Sequence, residues 1–215
     1  PICPMSNASD STRAISLKRR VDRTSASDYQ DSICLDELSV NGRLKSGSRQ
    51  EHLMSTQQGR NGVTAFDFFI GEWDVAHRRL KERLAGCNDW VGFVGTSVTQ
   101  KILGGLGNMD DNFLDLPGGA YRAITLRSYD PKSGQWSIWW LDGRYPGTLD
   151  TPMIGGFENG VGTFYANDTL AGRPIRVRFL WTLPKPDLPR WEQAFSADAG
   201  ATWETNWVME FTRRP

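Results

Sequence analysis

From Phe66 to the C-terminus, apolar and polar residues alternate in short runs broken by glycine, asparagine, aspartate and proline; periodicity of the helical kind is scarcely visible. Alternation with period two marks strands that show one face to a core and one to solvent. "FDFFIGEWDVAHRRLKERL" opens with a single helical turn and predicts a strand over residues 72–84. "WVGFVGTSVTQKIL", residues 90–103, predicts a second, joined to the first through "AGCND". "GGLGNMDDNFLDLPGG", residues 104–119, breaks the alternation and is read as an irregular loop or a short broken strand. "AYRAITLRSY" and "QWSIWWL" flank "DPKSG", which suits a type I turn with a bulge. "PMIGGF" and "VGTFYA" flank "ENG", where Asn159 and Gly160 can take positive φ. "PIRVRFLWTL", "RWEQAFS" and "TWETNWVMEFTRR" follow, the last two joined by "ADAGA". The pattern predicts an all-β fold of about nine or ten consecutive antiparallel strands. A meander of that size removes its exposed edges by closing, which predicts an up-and-down barrel of about eight to ten strands with room inside for a small ligand.

Composition divides the 215 residues unevenly. All nine Trp and all ten Phe follow residue 65, and Tyr29 is the single aromatic before it. A stretch rich in Ser, Arg and Asp with few bulky apolar groups cannot offset the entropy of its own ordering. Residues 1–62 are therefore expected to be a flexible or non-native tail, with Met54 a candidate true start, and residues 63–215 to be the barrel. "SLKRR", residues 16–20, stands out, but the tail carries nine Lys/Arg against seven Asp/Glu and reads as a solvated segment.

The barrel segment has sixteen basic and eighteen acidic residues, no concentrated positive field and no long apolar run, so neither nucleic acid nor membrane is an expected partner. Cys3 and Cys34 fall in the tail and Cys87 alone in the barrel, which precludes a disulfide within the domain and favours a reduced, cytoplasmic setting. With only His52 and His77 in the chain, no multi-histidine zinc site is expected within the domain. Asp110, Asp111 and Asp115 are spaced suggestively for calcium, yet lack the closing Glu of an EF-hand loop and are read as a mobile loop near a barrel mouth. No metal and no cofactor are expected.

At "FFIGEWDV" the chain resembles the calycins, the lipocalins and fatty-acid-binding proteins, through Gly71-x-Trp73 at the head of the first strand. The resemblance implies that Trp73 plugs the closed end of the barrel and that Arg213, from the last strand, packs over its ring. "ILGG", "YDPKSGQWSIWW" and "FSADAGATWETNW" extend the likeness to a bacterial lipocalin-like family of unknown function, over roughly residues 64–213. "SADAGATW" also resembles the Asp-box of sialidases. Those enzymes are similar to long propellers with repeated boxes, so Asp198, Gly200 and Trp203 are assigned to maintaining a turn.

If Trp73 points inward, His77 shares its face and is the sharpest chemical candidate, as a general base, a ligand orienter or a packed neutral histidine. Haem is set aside, because related haem barrels place their histidine late and none follows His77. Arg178 alternates with apolar neighbours and either faces solvent or grips a ligand carboxylate. Tyr121, Arg127, Trp140, Asp142, Gln193 and Asn206 complete the ligand-binding candidates. The expected function is binding of a small hydrophobic or aromatic molecule inside the barrel, by a monomer or a homodimer. The alternative is an isomerase, cyclase or hydrolase on the same barrel with His77 as acid or base and Arg178 or Tyr121 holding developing negative charge.

Overall fold

The computed structural model describes residues 62–215; the tail reading and its candidate start at Met54 fall almost wholly outside the described residues. A one-turn helix, Asp67–Phe69, leads into ten strands: β1 (Gly71–Leu80), β2 (Trp90–Ile102), β3 (Gly107–Asp115), β4 (Tyr121–Asp130), β5 (Gln135–Asp142), β6 (Met153–Glu158), β7 (Val161–Leu170), β8 (Arg173–Lys185), β9 (Leu188–Ser196) and β10 (Glu204–Arg213). Each pairs antiparallel with its neighbours in the chain, and β1 closes the ring by pairing with β10, Trp73 opposite Arg213 and Arg79 opposite Trp207. The fold is thus all-β, a closed barrel. Pairing along the ring is uneven: β1 and β2 share ten residue pairs, β5 and β6 only three, Trp136 to Ile138 against Met153 to Gly155.

An up-and-down course puts alternate connections at opposite ends. The helical turn and the turns after β2, β4, β6 and β8 lie at one end, and the longer connections 81–89, 116–120, 143–152 and 197–203 at the other. The first end is plugged. Trp73 is wholly buried, stacks on Phe69 with centroids 5.4 Å apart, and donates its indole N–H to the Phe69 carbonyl at 2.9 Å. Phe211 and Trp181 pack edge-on against Phe69. The guanidinium of Arg213 lies 4.1 Å from the centre of the Trp73 ring and donates to the carbonyls of Ile70 and Phe68, each at 2.9 Å. Gly71 makes that approach possible: its φ is +130°, and a Cβ there would stand 2.5 Å from Arg213 Nη1.

Residues 104–119 correct the sequence reading. Most of that stretch is the regular strand β3, paired over nine positions with β2 and eight with β4. Its inward positions are Asn108, Asp110, Asn112 and Leu114, so the alternation is present but its core face is largely polar. Asp110 is therefore buried within the wall, and Asp111, pointing outward, pairs with Arg122 at 2.6 Å. The two do not share a mobile loop at the mouth.

The "SADAGATW" turn closes the β9–β10 hairpin. Asp198 accepts from Ser196 Oγ at 2.7 Å, from the Thr202 amide at 2.8 Å and from the Thr202 hydroxyl at 2.6 Å. These bonds to its charged form hold the Asp198 carboxyl far below the usual carboxylate range. Gly200 takes φ +103°, and a Cβ there would meet the edge of Trp203 at 3.3 Å.

Candidate functional site

A cavity of about 240 Å³ runs inside the barrel from the open end to the aromatic plug. Two of its walls differ in kind. Ile175, Val177 and Phe179 from β8, Trp191 and Phe195 from β9, and Trp207 and Met209 from β10 make an apolar wall. Across the ring, β3 and β4 contribute Asp110, Asn112, Thr125 and Arg127. Trp140 adds a further ring, 6.1 Å from that of Trp207.

Arg127 and Asp110 form the deepest polar group. Both are 2% exposed, and Nη1 and Nη2 of Arg127 each reach a separate Asp110 oxygen at 3.3 Å. Nη1 also donates to Asn108 Oδ1 at 2.9 Å. Phe66, Phe69 and Trp181 surround the guanidinium with ring centres 5.1 to 5.4 Å away. A charge buried this deeply persists only when paired, and here both members are. Above it, Asn112 Nδ2 donates to Thr125 Oγ1 at 3.3 Å and to the Ala123 carbonyl at 3.4 Å.

The open end is charged. Arg144 forms a two-pronged pair with Asp142, at 3.0 and 2.8 Å, and lies 3.9 Å from the centre of the Tyr121 ring. Burial works against ionisation of Asp142, but the bonds and charge of Arg144 outweigh it and lower the carboxyl's pKa. Burial raises that of Tyr121 against the pull of the nearby arginines. Asp150, on the connection 143–152, is exposed as a residue yet lines the cavity, and partial withdrawal of its carboxyl from water there, then the charges of Asp168 and Asp142, push it up to about 6. Arg79 rests over the Trp207 ring at 5.4 Å.

Of the sequence candidates, Tyr121, Arg127, Trp140, Asp142 and Gln193 line this cavity. Three do not. Arg178 stands on the outer face, 4.6 Å over Trp203, while Val177 and Phe179 beside it point inward; alternation within the strand leaves it no other side, which corrects its place among ligand-gripping residues. Asn206 is fully buried behind the wall and accepts from Gln193 Nε2 at 2.8 Å. His77 does point into the barrel, but Phe93 stacks on it with centroids 4.5 Å apart and Trp207 donates to its Nδ1 at 3.3 Å. Burial, then the charge of Arg79, lowers its pKa to about 3, so it is neutral near pH 7. The sequence reading missed Asn112, Thr125, Arg79, Arg144 and Asp150. An Asn-x-Asp-x-Asn alternation, Asn108 to Asn112, was the available signal for the first of these.

No family model matches the chain, and no curated protein matches it by sequence. By structure it is similar to an S-type phycobiliprotein lyase from Guillardia theta, with a TM-score of 0.51 and 9% identity over 74% of this chain and 97% of that one. At that identity the likeness concerns the fold alone.

Proposed function

We propose that the barrel binds a small, mainly apolar or aromatic molecule in its interior. The observation that carries this reading is the cavity itself: plugged at one end by Phe69 and Trp73, walled by aromatic side chains, and open at the other end beneath the connection 143–152. Concave, largely apolar sites with a few convergent polar groups are how proteins hold small organic molecules. At about 240 Å³ it admits a fused-ring compound better than a long acyl chain. The structural neighbour, named as a phycobiliprotein lyase, keeps company with this reading without specifying the ligand. An enzyme using His77 as acid or base is disfavoured by the burial of that ring behind Phe93 and by its weak basicity.

Native mass spectrometry of the protein, against a denatured control, tests the proposal, together with titration of the intrinsic Trp fluorescence by naphthalene-sized compounds. Binding should be saturable and should disappear in Ala166→Phe, which fills the cavity. Equal response of both proteins would place the compounds elsewhere and overturn the reading.

A further inference from the structure

The polar wall specifies more than the presence of a ligand. Asn112 and Thr125 are 8% and 7% exposed, and both line the cavity. The hydrogen bonds they make use both donors' worth of geometry on one side only: Asn112 Nδ2 gives to Thr125 Oγ1 and to Ala123, and Thr125 Oγ1 receives. Among the described residues, Asn112 Oδ1 receives no hydrogen bond and the Thr125 hydroxyl proton has no acceptor. One acceptor and one donor are thus left side by side on adjacent strands, where Asn112 pairs with Ala123 and Thr125 with Asp110. Both residues face the cavity, where water can complete them, so a ligand that displaces that water must return the hydrogen bonds it made.

Charge limits what that ligand is. Immediately below, the positive charge of Arg127 is already met by both oxygens of Asp110. A carboxylate entering beside them would bring an unbalanced negative charge into a low-dielectric site, whereas a neutral group would not. β8 and β9 stand on the far side of the ring from β3 and β4, so a flat molecule between the walls meets Phe179 and Trp191 on its apolar side.

We propose that the ligand is a neutral aromatic ring system with a cyclic amide edge. Its N–H donates to Asn112 Oδ1, its carbonyl accepts from the Thr125 hydroxyl, and its rings occupy the space toward the β8–β9 wall. This rests on the interior-binding reading and narrows it to a chemical class.

The test compares carbostyril, a two-ring cyclic amide, with its O-methyl ether, with naphthalene and with naphthoate, each titrated into the full chain. The double variant Asn112→Leu/Thr125→Val removes the donor–acceptor pair together, which avoids stranding either group, and Thr125→Val alone serves if the double variant does not fold. Carbostyril should bind about tenfold more tightly than its ether, the ratio that one or two buried hydrogen bonds supply, and the ratio should fall toward one in the variant. Equal affinity of carbostyril, ether and naphthalene for the parent chain would overturn the amide edge while leaving interior binding intact, as would a tenfold ratio that survives in the variant. Tightest binding of naphthoate would overturn the neutrality. If none of the four binds, this inference falls together with the interior-binding reading.

Discussion

The indole N–H of Trp207 reaches Nδ1 of His77 at 3.3 Å, and that bond fixes the state of the imidazole. An Nδ1 that accepts carries no proton, so the neutral ring holds its hydrogen on Nε2. Trp207 also forms part of the cavity wall, and His77 braces it from behind.

Protonating His77 must break this arrangement. Its folded pKa, about 3, lies below the ordinary 6.5, so the unfolded chain binds the proton more readily between those values. The contribution is fully present above pH 6.5 and is lost as pH falls toward 3, at up to about 1.4 kcal/mol per pH unit for one proton. In His77→Gln, urea denaturation between pH 6.5 and 4 should show a flatter loss of stability than the parent. Parallel pH curves would mean that His77 is not buried as a neutral ring.

Arg127 and Asp110 should behave as a unit. Arg127→Met leaves the Asp110 carboxylate buried without its partner and should cost about 3 to 5 kcal/mol by urea midpoint. Arg127→Met/Asp110→Leu should recover most of that loss, because neither charge is then stranded. Additive losses would show that the two residues act separately.

At the plugged end, Arg213 serves two backbone carbonyls and one ring, Trp73. Arg213→Ala should lower stability by roughly 2 kcal/mol through the charged hydrogen bonds alone. Gly71→Ala should also destabilise, since it both strains φ and displaces the guanidinium. Thermal denaturation of each variant checks this, with a Tm unchanged by either substitution as the contrary result.

Asp150 carries the opposite sign from His77. Its folded pKa is raised to about 6, so the folded chain holds the proton more tightly and stability falls as pH rises from about 4 to 6. Asp150→Asn should raise Tm at pH 7 and leave it nearly unchanged at pH 4. The gain should stay below about 1 kcal/mol, because the carboxyl keeps surface in water and its repulsion from Asp168 and Asp142 is screened.

Most of the barrel was legible wherever apolar residues took the inward positions, as at Trp73, Val75 and Phe211. Turn residues helped: Asp130 receives the Lys132 amide at 2.9 Å and Gly134 takes φ +69° in "DPKSG". β3 reads in the sequence as a loop or a short broken strand because its inward residues, Asn108, Asp110 and Asn112, are polar, and a rule that reads hydrophobic as inside cannot see a regular strand that builds a polar wall. The same cause hid part of the site. Asn112 and Thr125 matter through neighbours on another strand, and Arg178 could be sent outward only once Ile175, Val177 and Phe179 were known to face in. His77 was legible in direction but not in surroundings, since Phe93 and Trp207 meet it from strands distant in sequence.

The three-pair junction of β5 with β6 makes the ring a belt with a clasp. With the fewest cross-strand bonds holding it, this junction should part at lower cost than the ten-pair seam of β1 with β2. Amide hydrogen exchange should therefore be fastest there among the paired strands. Trp136, one of the junction's three β5 residues, packs edge-on against Phe66 at 5.0 Å and donates its indole N–H to the Gly62 carbonyl at 3.0 Å, so the segment that leads into the barrel doubles as the pin of the clasp, and parting the junction frees both together.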